Sequence, residues 1–112
     1  MPRKADPAVG IALAGEREGD LIRVTGELSF ASAQRGIDAF RPYCRPRIDQ
    51  ALVLDLSGVT RTDSGGLALL LQWKRMAHEV GRPIRFLALP EQTRNLAAVF
   101  GIADLLDSGN TS

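Results

Sequence analysis

Residues 52–71 read LVLDLSGVTRTDSGGLALLL, and this stretch decides the fold class. Its first part, with Ala51, is a short, nearly continuous apolar run (ALVLDL), which predicts a strand buried on both faces over residues 51–56. Residues 57–62 read as a loop. A long helix is expected from about Asp63 to Val80, stopped by Gly81 and Pro83. A second buried strand then follows over residues 84–89. Strand, crossover helix, strand is the parallel unit that folded sheets build with right-handed connections.

Working toward the amino terminus, residues 9–13 predict an edge strand, and Gly15 and Gly19 flank a charged turn. Residues 21–25 alternate toward a second strand that Gly26 closes. Ser29 or Ser32 is placed to cap a helix running to about Phe40, and Pro42 and Pro46 break the loop beyond it. Toward the carboxyl terminus, a last helix spans about residues 91–100 and Gly101 closes it, after which residues 102–106 pack back. The expected fold class is α/β: a mixed sheet of four or five strands packed with about three helices. The domain is expected over residues 8–106, with residues 1–7 and 107–112 as flexible tails.

Composition narrows the function. A chain of 112 residues, 45% hydrophobic, forms one domain with a thin two-layer core and little room for a deep substrate pocket. A net charge of +1 supplies no field to draw in nucleic acid or an anionic membrane. Cys44 is the only cysteine, so an internal disulfide and a multi-cysteine zinc site are excluded. No apolar run approaches the ~20 residues that span a bilayer. Arg3 and Lys4 are not followed by a hydrophobic stretch, so the start does not read as a signal peptide. A cytoplasmic protein is expected, with membrane contact only through a partner.

The chemistry concentrates at the start of the long helix. Asp63 is placed to cap it, accepting from the backbone N–H of Gly65 or Gly66. Ser64 falls in the first turn, where free N–H groups and the helix dipole favour an anion. Two glycines there cost roughly 1 kcal/mol each relative to alanine. Either another backbone or a ligand must approach Gly65 and Gly66 closely, or they only pack against the sheet. On a helical wheel, Leu69, Leu70, Trp73, Met76, Ala77 and Val80 form the buried stripe. Leu67 and Leu71 fall outside it, beside Lys74 and His78, with Ser64 and Arg75 near the same side. That patch predicts a partner-binding surface of Asp63, Ser64, Gly65, Gly66, Leu67, Leu71, Lys74 and Arg75, unless the amino-terminal strands or a loop cover the two leucines.

The quoted stretch resembles the signature of STAS domains, the fold of anti-anti-sigma factors and of a cytoplasmic subunit of lipid-transport ABC systems. VTGELSFASA (24–33) and GRPIRFLALPEQTRNLAAVFGIADLL (81–106) are similar to further parts of that family. The resemblance implies that Ser64 occupies the family's switch position, which anti-anti-sigma factors present to a phosphorylating kinase. The sigma-regulating branch usually carries a second hydroxyl residue next, where this chain has Gly65. The run DSGGLALLL looks more like the transporter-binding protein of the Mla lipid-asymmetry system, in which a threonine is common at the Ser64 position. That likeness implies a non-enzymatic subunit that binds the ATPase of a phospholipid-transporting ABC system and supports its assembly or activity. The alternative it leaves open is an anti-sigma factor antagonist whose partner is an anti-sigma factor kinase and whose phosphorylation site is Ser64.

Enzymatic readings find little support. Asp63-Ser64-Gly65-Gly66 also surrounds the nucleophile of trypsin-like proteases, but the only histidine, His78, lies about 21 Å further along the same helix. A catalytic base must come within about 3 Å of the hydroxyl. No phosphate-binding glycine loop is present. Asp55 and Asp63 read as a strand-end residue and a helix cap before they read as metal ligands, so no metal or cofactor is expected. Arg41, Arg45 and Arg47, with Tyr43 among them, read as a solvated basic loop, and Cys44 there has no evident activating partner. A sensory module for a small ligand remains open, although no pocket signal accompanies it.

Overall fold

In the computed structural model the described residues are 10–15, 21–46 and 51–107. Along residues 52–57 buried and less buried side chains alternate: Leu52, Leu54 and Leu56 lie in the core, Val53 and Asp55 are half-buried, and Ser57 is exposed. That alternation is the period of a strand covered on one face. The expectation of burial on both faces is therefore corrected for this strand. It is corrected for its neighbour too, where Ile84 is buried but Arg85 and Leu87 are exposed.

The elements run β1 (Ile11–Gly15), β2 (Leu21–Leu28), α1 (Ala33–Phe40), a 3-10 turn (Arg41–Tyr43), β3 (Leu52–Thr62), α2 (Ser64–Glu79), β4 (Ile84–Leu87), α3 (Glu91–Val99) and α4 (Ala103–Asp107). The sheet order is β1-β2-β3-β4, with β1 antiparallel to β2 and the other neighbours parallel. The edge strand starts two residues later than expected. Val9, residues 1–7, the turn at 16–20, Arg47 and the tail from residue 108 lie outside the described residues. Asp107, assigned to a tail, closes α4.

Residues 57–62, expected as a loop, extend β3 instead. The cause lies in β2, which also runs past its expected end. Gly26 adopts φ +101, and the register shifts between Gly26 and Glu27. The extra residue lies on β3, at Thr60, whose hydroxyl donates to the Gly26 carbonyl, and beyond this bulge Glu27 and Leu28 pair with Arg61 and Thr62. Both strands thus end beside the start of α2.

Helix α2 contacts all three parallel strands and each of the other helices. Its buried residues include Leu69, Leu70, Trp73, Met76 and Ala77, as the wheel required. Trp73 stacks on Phe40 with ring centroids 5.5 Å apart, and its indole N–H donates to the Gly36 carbonyl at 3.0 Å. The buried polar end of the ring is thereby satisfied. Leu67 is the exception to the wheel: it is 3% exposed and belongs to the core. Contacts of α3 and α4 close the side of α2 where Leu67 and Lys74 lie, and the Lys74 ammonium donates to the Leu105 carbonyl. Leu71 is half-buried against the same core.

On the open face of the sheet, Asp55 pairs in register with Arg23. Asp55 lies within β3 rather than at its end, and accepts the Ser57 N–H at 2.9 Å. Hydrogen bonds from the Ser57 backbone, and then from its side chain, hold the Asp55 carboxyl below the usual aspartate range. A depressed folded-state value stabilises the fold at pH above the unfolded value of about 3.9, and this contribution fades as the pH falls through the folded value. Asp55→Asn should therefore flatten the acid arm of a urea stability profile taken from pH 7 downward. In the same assay Leu67→Ala should lose about 2–5 kcal/mol, as core leucines do, and Leu71→Ala about 1 kcal/mol.

Candidate functional site

Asp63 sits at the N-cap of α2 in extended conformation, and its carboxylate accepts the Gly66 N–H at 3.1 Å. The same oxygen accepts the Phe30 N–H at 2.9 Å. One carboxylate thus fastens the helix start to the turn between β2 and α1. The two glycines complete the junction. A Cβ on Gly66 would overlap the Leu28 carbonyl oxygen, and one on Gly65 would overlap the Phe30 backbone. The close approach expected at these glycines is made by a backbone of this same chain, at Leu28 and Phe30.

The turn at residues 29–32 is internally tied. Ser32 occupies the N-cap position of α1, yet its side chain makes no capping bond to that helix. Its hydroxyl donates instead to the Glu27 carbonyl at 2.6 Å, and accepts the Ser29 N–H at 3.0 Å. Between these anchors Phe30 stands 82% exposed, the largest exposure among the big hydrophobic side chains described.

The sequence-predicted residues therefore separate. Ser64 and Arg75 are exposed and share one stripe of α2 with exposed Ala68 and half-buried Leu71. Asp63 is half-buried and Gly66 buried, both spent on the junction, and Gly65 is half-buried against Phe30. Leu67 is withdrawn from the surface, and Lys74 is tied to α4. Sequence reasoning missed Phe30 and Ala68. The signal for Phe30 was a bulky aromatic inside the turn SFAS, where a polar residue is the ordinary choice.

Elsewhere the chemistry is sparse. Among the described residues no group of three or more His, Cys, Asp or Glu comes together to hold a metal. Burial pushes the Cys44 thiol above its usual range, so it stays protonated and poorly nucleophilic at neutral pH. A surface hollow of roughly 420 Å³ beside Glu91, Gln92, Asn95, Leu96 and Val99 is open rather than enclosed. No helix of the described residues is long and apolar enough to cross a membrane.

A one-sided mixed sheet, with parallel strands crossing over through helices to a short motif at a helix tip, defines a small α/β domain of the STAS class. The chain belongs to the STAS domain family: the family model described as "Mlab, STAS domain" matches residues 11–107. Two solved structures share the fold. The murine solute carrier 26 family member A9 anion transporter, in its inward-facing state, is similar with a TM-score of 0.61 and 21% identity, covering 77% of this chain and 14% of that one. A structure of SLC26A9 gives a TM-score of 0.54 and 19% identity, covering 81% of this chain and 20% of that one. The chain thus spans a small part of those transporters' length, and the likeness is one of fold. No curated protein sequence matches it.

Removing either element of the junction should weaken the whole fold. Asp63→Ala should lose about 1–2 kcal/mol, the value of a helix cap, and Gly66→Ala more than Asp63→Ala. Urea denaturation of the two variants beside the parent chain measures both.

Proposed function

We propose that this chain is a non-enzymatic STAS subunit that binds the cytoplasmic ATPase of a phospholipid-transporting ABC system and supports its assembly or activity. The observation that carries a docking role is Phe30, an aromatic ring exposed on a stiff turn directly against the helix start that bears Ser64. Large exposed aromatics held on ordered backbone are the usual anchors of protein interfaces, because they bury much area while losing little freedom. Ser64, Ala68, Leu71 and Arg75 continue the surface along α2. The likeness of residues 52–71 to Mla-type subunits supports the choice of partner. In this reading the protein is cytoplasmic and reaches the inner membrane only through that partner.

A second reading, an anti-sigma factor antagonist, is favoured by one feature. Ser64 is exposed in the first turn of α2, where the helix dipole and free N–H groups welcome a phosphate. Stoichiometric phosphate on Ser64 after incubation with a cognate anti-sigma factor kinase and ATP would support this reading over the transporter one.

For the transporter reading, Phe30→Ala should weaken binding to the ATPase subunit by about 30-fold, as an anchor residue does. Ser64→Glu should also weaken it, by placing charge in an apolar contact, while changing folding stability by less than about 0.5 kcal/mol. Titration calorimetry against the purified ATPase subunit measures the affinities. Unchanged binding by both variants would displace the contact from this tip.

A further inference from the structure

Glu27 is 7% exposed, and its carboxylate has no part in any site described above. Its two oxygens face different groups. Oε1 accepts the Ser29 hydroxyl at 2.9 Å, and Oε2 lies 3.6 Å from the guanidinium of Arg61. The Glu27 carbonyl accepts the Ser32 hydroxyl, which in turn accepts the Ser29 N–H. The Ser29 hydroxyl, having donated to Glu27, is free to accept the Ser32 N–H at 3.2 Å. Each hydroxyl also lies near a second acceptor, Ser32 Oγ for Ser29 and the Ser29 carbonyl for Ser32, but the shorter contact of each is to Glu27, and with the protons placed there the network is self-consistent. It closes both ends of the turn that carries Phe30, while Asp63 holds the middle through the Phe30 N–H.

Buried carboxylates are unfavourable unless hydrogen-bonded, and a surface turn of four residues does not need one to reverse direction. We propose that Glu27 is a positioning residue. Its buried carboxylate fixes the 29–32 turn, and with it Phe30, in the docking shape before a partner arrives. The inference rests on the docking reading given above. A partner that meets a pre-set ring forgoes ordering the turn on binding, whereas a loose turn lowers apparent affinity by the fraction of molecules in the competent shape.

The test uses the full chain and two readouts. Amide hydrogen exchange across residues 29–33 reports the turn without any partner, and binding is measured against the purified ATPase subunit. Glu27→Ala should speed exchange in the turn and weaken binding about tenfold, chiefly through slower association. Glu27→Gln, which keeps an acceptor for the Ser29 hydroxyl, should restore both to within about twofold. Ser29→Ala should loosen the turn with Glu27 intact, and stands in if Glu27→Ala fails to fold. Exchange unchanged in Glu27→Ala and Ser29→Ala would overturn the proposal. So would a looser turn that binds as tightly as the parent while Phe30→Ala still loses binding. If Phe30→Ala and Ser64→Glu both bind like the parent chain, the docking reading itself fails, and the positioning role in binding falls with it; the exchange result then stands as a property of the turn alone.

Discussion

Two backbones touch where α2 begins, and the rest of the tip depends on that contact. The carbonyl of Leu28 and the backbone of Phe30 occupy the space in which Gly66 and Gly65 would carry side chains. Strand β2 must therefore end at this point, and α2 must start at this point, for either to fit. Asp63 converts the contact into a fixed angle, since one oxygen serves the helix N–H and the turn N–H together. The exposed ring of Phe30 and the exposed hydroxyl residue Ser64 then become neighbours by construction.

The same constraint explains why β3 is long. A short strand ending at Leu56 would leave the start of α2 distant from the turn after β2. The bulge at Thr60, opposite Gly26, shifts the register by one residue and lets β2 and β3 pair through to Thr62, where the Thr62 and Thr93 hydroxyls meet at 2.7 Å and the Gln92 side chain accepts the Thr62 N–H. Helix α3 is thereby tied to the end of the strand that launches α2. Among the described residues, five of the six buried polar ones, Glu27, Ser29, Ser32, Thr62 and Thr93, gather at that end of the sheet, and each is hydrogen-bonded there.

Helix α2 has little surface left to offer. It contacts the sheet, α1, α3 and α4, so Ser64, Ala68, Arg75, His78 and Glu79 face outward, with Gly65, Leu71, Gln72 and Lys74 half-buried. A docking surface built on α2 alone would be narrow. The 29–32 turn widens it with an aromatic ring, which gives the combined tip its most apolar element. Val99, Phe100 and Leu105 form other apolar exposures on α3, α4 and their junction.

The sequence by itself determined the element order from β1 to α3, the parallel crossover through α2, the span of α2 within a residue, its buried stripe from Leu69 to Ala77, and the capping role of Asp63. Those features follow from local periodicity and from a helix terminus whose N–H groups need an acceptor nearby in the chain. Tertiary structure alone decided the fate of Leu67, because a wheel records angles along one helix and cannot register α3 and α4 closing over one side. It alone decided that the glycines serve a contact within the chain, since the obstructing atoms belong to residues 28–30, more than thirty positions away. The placement of Phe30 beside Ser64 has the same origin: a hydrogen bond between residues 30 and 63 is a property of the folded sheet, and no local pattern carries it.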